Sequence, residues 1–250
     1  MQNATMIVNQ MLEKLNCPKH VTPCSRADID ALQHHDEKDF AVRHMLQITH
    51  GLSRASGINT RFLECTFENY QVENPGQKHA LHIAKRYAYY FEELRQDGRG
   101  FLFTGTPGTG KNHLASAIAN ELMNELYSVI LLNVMDLMSK FRTCYHTNES
   151  EEQVIARFTR PDLLIIDELG LQRGSVDEML WLTRLIDKRL YANKPTGFIT
   201  NLSKEQLHTL LGERTYERLR EAASVMVKFN WESYRVKKQL KPQHSERIFK

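Results

Sequence analysis

Gly105-Thr106-Pro107-Gly108-Thr109-Gly110-Lys111-Asn112 is the stretch that decides the fold of this chain. The apolar run Phe101-Leu102-Phe103 precedes it, and a helical pattern opens at His113-Leu114-Ala115. Strand, glycine-rich loop and helix in that order form the context of a phosphate-binding loop. The glycines let the backbone curl so that successive N–H groups meet one phosphate cluster, and the helix N-terminus adds partial positive charge. Lys111 is then placed to reach the β- and γ-phosphates. A Ser or Thr hydroxyl normally follows this lysine and binds Mg²⁺. Asn112 stands there instead, with an amide oxygen that can ligate the ion or hold one of its waters. On these residues alone, nucleotide binding is expected, with slower hydrolysis.

Leu163-Leu164-Ile165-Ile166-Asp167-Glu168 supplies the acidic half of such a site. The apolar run reads as a buried parallel strand, and Asp167 falls at its C-terminal end, where ligands of open α/β sheets bind. Asp167 can hold Mg²⁺ through water, and Glu168 can orient or deprotonate an attacking water. Gly197-Phe198-Ile199-Thr200-Asn201 is another short strand with a polar end, and Asn201 can touch the γ-phosphate or that water. Gly212-Glu213-Arg214-Thr215-Tyr216-Glu217-Arg218-Leu219-Arg220 sets three arginines on a helix, with Arg214 and Arg218 on one face. A solvated face of Glu–Arg pairs is the alternative there. Arg235 follows the strand end Phe229-Asn230-Trp231.

Together these features resemble the AAA+ ATPases, and within them the DnaC family of bacterial and phage helicase loaders. The resemblance rests on Gly105–Ala115 with Asn after the lysine, on Thr66-Phe67-Glu68-Asn69-Tyr70, on Leu210-Leu211-Gly212-Glu213-Arg214, and on Phe229-Asn230-Trp231-Glu232-Ser233-Tyr234-Arg235. It spans about residues 66–236. The IstB-type transposition ATPases, which would bind duplex DNA, share much of the pattern. The resemblance implies an ATP site with Mg²⁺, in which Gly105–Asn112 and His113 hold the phosphates and Asp167 and Asn112 the metal. It implies that Glu168 and Asn201 act on the water, and that Phe67 and Tyr70 lie near the adenine. It makes Arg218 the arginine finger to a neighbouring subunit's ATP, with Arg214 the other candidate, and Arg235 a second sensor. In this family Asn after the lysine is normal, and members look like switches more than fast motors. The implied partners are a hexameric replicative helicase of the DnaB type, gripped by residues 1–60, and single-stranded DNA, with self-assembly into a ring or spiral on the helicase.

The rest of the chain fits one small and one large domain within 250 residues. Residues 1–60 read as helical, with Ile7, Met11 and Leu15 at four-residue spacing and Pro18 and Pro23 as breaks. They can serve a partner or pack on the chain's own ATPase domain. Residues 61–236 carry the ATPase pattern: a helix over Gln77–Arg95, then strands at 101–104, 129–133, 163–167, 196–200 and 225–229 alternating with helices. That alternation means an α/β, five-stranded parallel sheet. Leu81, Ala84, Tyr87, Ala88, Phe91 and Leu94 are expected to point inward, and Tyr89 and Tyr90 are also read as core. Met135–Arg160 carries Lys140, Phe141, Arg142, Tyr145 and His146, a mixture suited to single-stranded DNA or to a buried helix face. Few residues follow the last strand, so the helical lid of AAA+ proteins is expected to be reduced or absent.

Residues 235–250 hold six Lys/Arg and one acid, against an overall formal charge of +3, so 237–250 reads as a basic tail. No apolar run of about eighteen residues or basic-then-apolar leader occurs, so no membrane contact and a cytoplasmic setting are expected. Four cysteines lack disulfide spacing. Cys17, His20 and Cys24 suggest zinc, but the fourth ligand would have to be the distant Cys65, and free thiols are the simpler expectation.

Overall fold

A computed structural model describes residues Leu63–Tyr234 of the chain. The readings placed on residues 1–60, on Arg235 and on the tail 237–250 lie outside the described residues, as do Cys17, His20 and Cys24.

The first element is α1 (Pro75–Tyr89), whose start is set by Asn74. The Asn74 side chain accepts from the Gln77 N–H, the Gln77 side chain answers the Asn74 backbone, and proline occupies the first turn. The expected single helix over Gln77–Arg95 is two, because α1 stops at Tyr90 and a short α2 (Phe91–Gln96) follows. Ala84, Tyr87, Ala88 and Phe91 are buried as expected, while Leu81 and Leu94 are half-buried. Tyr89 and Tyr90 are not core: Tyr89 is 80% exposed, and Arg86 lies over the Tyr90 ring. Tyr89 falls on the outer face of α1 with Lys78, His82 and Lys85, and Tyr90 sits at the break that follows.

The remaining elements are β1 (Phe101–Gly105), α3 (Lys111–Asn124), β2 (Val129–Asn133), α4 (Val134–Cys144), α5 (Glu151–Thr159), β3 (Leu163–Asp167), α6 (Val176–Tyr191), β4 (Thr196–Thr200), α7 (Lys204–Ala222) and β5 (Val225–Phe229). All strand pairs are parallel, in the order β2-β3-β4-β1-β5. Strand β4 therefore lies between the loop-bearing β1 and the acidic β3, and the C-terminal ends of all three open on one edge.

Side chains alternate across the sheet. Phe101, Phe103, Leu163, Ile165, Ile199 and Phe229 face α1, α2 and α3, where they pack with Ala84, Phe91, Leu114 and Ile118. Leu102, Leu164, Ile166 and Phe198 face the other layer, with Leu137, Phe141, Phe158, Leu182 and Leu219. Each fully buried Leu, Ile or Phe contributes about 1.5–3 kcal/mol. Both faces covered is why the strands read as apolar runs and not as alternation.

The segment read as a DNA-contact candidate is α4 and α5. Phe141 belongs to the core and stacks on Trp181 at 5.2 Å. Arg142 is tied to the buried Glu178 at 2.6 Å. Tyr145 and His146 remain on the surface.

Helix α7 carries the Gly-Glu-Arg sequence and is broken within it. Gly212 has φ 72° and ψ 163°, so Arg214, Arg218 and Arg220 stand on a separate second half. Among the described residues no helix is long and apolar enough to cross a membrane. Cys144 is a free thiol, and no group of metal-binding side chains is found among the described residues.

Candidate functional site

The loop between β1 and α3 needs glycine at two places for separate reasons. Gly105 has φ 130°, and a Cβ there would fall 1.9 Å from the Phe229 carbonyl oxygen of the neighbouring strand. Gly110 has φ 93°, and a Cβ would fall 2.7 Å from the Tyr70 ring. Both angles lie in the left-handed region that glycine adopts at little cost. Lys111 opens α3 and is 4% exposed. Its Nζ donates to the carbonyls of Gly105 at 2.8 Å and Thr106 at 2.7 Å, which satisfies a buried ammonium from within the loop. The Thr109 hydroxyl donates to the Thr106 carbonyl at 2.8 Å and stiffens the same turn.

Asp167 ends β3 beside this loop. It is buried, and that burial pushes its carboxyl up to about 6, with Glu168 adding to the rise and the Lys111 ammonium and the Glu168 N–H opposing it. The Asn112 amide donates to Asp167 Oδ2, so the residue in the Ser/Thr position already touches the acidic strand end. A buried carboxylate disfavoured as an anion and bordered by an amide fits a divalent cation, whose charge would restore the ionised form. Glu168 follows with φ 56°, which swings it off the strand line into solvent. Leu169 then donates its N–H to the Ile199 carbonyl at 2.9 Å, and the Thr200 hydroxyl donates to the Leu169 carbonyl at 2.6 Å. These bonds fix the turn after Glu168 against β4, so Asn201 stands at the same edge.

One cavity of about 450 Å³ gathers these groups. Pro107–His113, Asp167, Glu168 and Asn201 line it, together with Tyr70. The segment Thr66–Tyr70 is folded onto α3 by a His113 Nε2–H donating to the Thr66 carbonyl at 2.9 Å and by reciprocal Thr66–Asn69 bonds. Tyr70 lies edge-on to His113, and burial pushes its hydroxyl up to about 12. Phe67, its expected companion near the base, is elsewhere. It packs into the α1/α3 core and lines a different hollow with Lys85. Gly105 and Thr106 support the loop from below, through their bonds to Lys111. Arg218 and Arg214 are also not at this cavity; they line a hollow on the α7 flank with Glu217, Arg220 and Glu221.

Sequence reasoning missed the closure of the site by the chain after β5. Trp231 Nε1 donates to the Thr109 carbonyl, the Thr106 hydroxyl donates to the Trp231 carbonyl, and the Tyr234 N–H donates to the Gly108 carbonyl at 2.9 Å. The Tyr234 hydroxyl reaches Gln71 Oε1 at 3.2 Å, joining the two segments that flank the cavity. The signal was present in a tryptophan and a tyrosine just past the last strand, but their partners are more than a hundred residues away in sequence.

Comparison with known proteins agrees with this geometry. The family described as IstB-like ATP binding protein matches residues 19–242. The replicative helicase loader DnaC of Escherichia coli (strain K12) is 38% identical over 235 residues, covering 90% of this chain and 94% of that protein. DnaC of Buchnera aphidicola subsp. Baizongia pistaciae is 36% identical over 239 residues, covering 91% and 96%. Among solved structures, a crystal structure of the DnaC helicase loader superposes with a TM-score of 0.62 at 22% identity, covering 68% of this chain and 99% of that one. At that identity the superposition speaks for the fold alone, a five-stranded parallel α/β core. The chain belongs to the IstB-like family of ATP-binding proteins, within its DnaC group.

Proposed function

We propose that this protein is an ATP-dependent loader of a hexameric replicative helicase onto single-stranded DNA, working as a switch with modest hydrolysis. One observation carries the reading. Lys111, Asn112, Asp167, Glu168 and Asn201 converge on one cavity in a chain 38% identical, over 90% of its length, to a replicative helicase loader.

In this reading Gly108–Lys111 and the start of α3 hold the phosphates, and Tyr70 covers the adenine side. Asp167 and Asn112 hold Mg²⁺, which supplies neutralising charge at the β- and γ-phosphates. Glu168 takes or orients the proton of the attacking water, and Asn201 positions that water. Arg218 lies on a flank away from its own subunit's cavity, which suits a finger completing a neighbour's site in a ring or spiral. Residues 1–60 grip the helicase. The exposed Tyr145 and His146 just past α4 offer stacking surfaces to a single strand. Nucleotide turnover then loosens the assembly and the loader departs.

The test is light scattering after size exclusion of the full chain mixed with its host's replicative helicase, with and without ATP, beside the chain lacking residues 1–60. A complex of about twelve chains is expected with the full chain only, if one loader serves each helicase subunit. A full chain that ignores the helicase but coats duplex DNA would favour a transposition helper.

A further inference from the structure

The second half of α7 is held against α6 by a buried hydrogen bond, Thr183 Oγ1 to Thr215 Oγ1 at 2.7 Å. Because helix turns repeat every three to four residues, this bond also sets the next turn of each helix. Asp187 on α6 and Arg218 on α7 meet there, with Arg218 Nε 2.9 Å from Asp187 Oδ1. Arg214 approaches the other oxygen of Asp187 at 3.9 Å. On its far side Arg218 Nη1 donates to Glu221 Oε2 at 2.7 Å.

The two carboxylates differ in burial. The Asp187 side chain is 19% exposed and that of Glu221 57%. Asp187 Oδ1 is also buried without an aligned hydrogen-bond donor, so the arginine ion contact is what compensates it. A half-buried charge releases its counter-charge at a high cost, whereas a solvated i,i+3 pair is worth little. The guanidinium is thus anchored through Nε, loosely tethered through Nη1, and makes no hydrogen bond through Nη2 among the described residues.

We propose that Asp187 is a positioning residue for the arginine finger: it fixes Arg218 through Nε so that both terminal nitrogens face a neighbouring subunit's triphosphate, and Glu221 is the partner given up on assembly. This rests on the reading of Arg218 as the finger. Asp187 touches no substrate. Its part is to hold a long, rotatable side chain in one orientation before the neighbour arrives, which saves the ordering cost at the moment of reaction.

The experiment is ATP turnover by the assembled loader and helicase on single-stranded DNA, with binding of a fluorescent ATP analogue measured in parallel. Asp187→Ala is expected to lower kcat about tenfold or more, with KM and analogue binding within about twofold. Asp187→Glu keeps the carboxylate charge opposite Arg218 and should recover part of the rate. Asp187→Ala subunits, whose own nucleotide sites are intact, should regain turnover when mixed with Lys111→Ala subunits, whose finger is intact. Glu221→Ala should turn over at least as fast as the wild type, a result that does not depend on how well Asp187→Ala folds. An inactive Arg218→Ala beside a fully active Asp187→Ala would overturn the positioning role and leave the finger standing. A fully active Arg218→Ala would overturn both, and a Glu221→Ala as slow as Arg218→Ala would overturn the exchange.

Discussion

The indole Nε1 of Trp231 donates to the carbonyl of Thr109 at 3.0 Å, tying the chain beyond β5 to the phosphate loop. Trp231 also packs on Phe229, the last residue of β5, at 4.9 Å between rings. Loop and strand end are therefore one mechanical unit, although their residues are far apart in sequence.

Trp231 is accordingly expected to report nucleotide. The chain has two tryptophans, so Trp181→Phe leaves Trp231 as the single emitter. ATP should change its fluorescence, and Trp231→Phe should weaken ATP binding about threefold to tenfold by removing one hydrogen bond of about 1 kcal/mol that shapes the loop. Unchanged affinity in Trp231→Phe would mean that the loop holds its form without this tie.

Asp167 should leave a pH signature in stability. Its folded-state pKa of about 6 lies above the ordinary 3.8, so the native state favours the protonated form. The stability it contributes is full below pH 3.8 and is lost as the pH rises through about 6. Asp167→Asn should therefore stabilise the nucleotide-free protein at pH 8 by up to about 3 kcal/mol and change little near pH 4. Urea denaturation at the two pH values checks this. The same variant should lose Mg²⁺-dependent ATP affinity, the trade-off expected of a site residue.

Gly110→Ala places a methyl 2.7 Å from the Tyr70 ring at a residue with φ 93°. Loss of nucleotide binding is expected, with a destabilisation of about 1–3 kcal/mol from backbone strain. Calorimetric titration with ATP, together with a thermal melt, separates loss of the site from loss of the fold.

Arg189 should be the most sensitive charged residue for stability. It is fully buried in α6, and burial depresses its pKa to about 9. Its guanidinium donates to the carbonyls of Phe158, Thr159, Pro161 and Pro195 and to the Thr196 hydroxyl, clamping the chain segments that enter β3 and β4. Arg189→Met strands those acceptors and should cost about 3–5 kcal/mol in urea denaturation. Arg189→Lys should recover little, because one ammonium cannot span a planar fork of five donors.

How far the sequence reached can be seen in these same residues. The strands were legible, with β1 alone extending one residue further, because buried parallel strands make unbroken apolar runs. The placement of the loop, Asp167, Glu168 and Asn201 around one cavity was legible, because the C-terminal ends of parallel strands share one edge. Arg189 was not, since an arginine in a last helical turn reads as a solvated dipole partner and its acceptors are distant carbonyls. Tyr89 and Tyr90 misled for the opposite reason: both are apolar enough for a core, but Tyr89 lies on the outer face of α1 and Tyr90 at its end. Phe67 lies three residues before Tyr70 yet lines a different hollow. Trp231 and Tyr234 stood out in the sequence, but the loop they close lies more than a hundred residues away.

Loading by this protein is measured on a closed single-stranded circle. A circle has no end to thread, so a helicase ring must open to encircle it. The replicative helicase is incubated with the circle, this protein and ATP, and the DNA-bound helicase is measured after a high-salt wash. Salt-resistant helicase that requires both this protein and ATP, and that is lost with Lys111→Ala, is the expected result. Helicase retained equally without this protein, or never retained with it, would contradict the loader assignment.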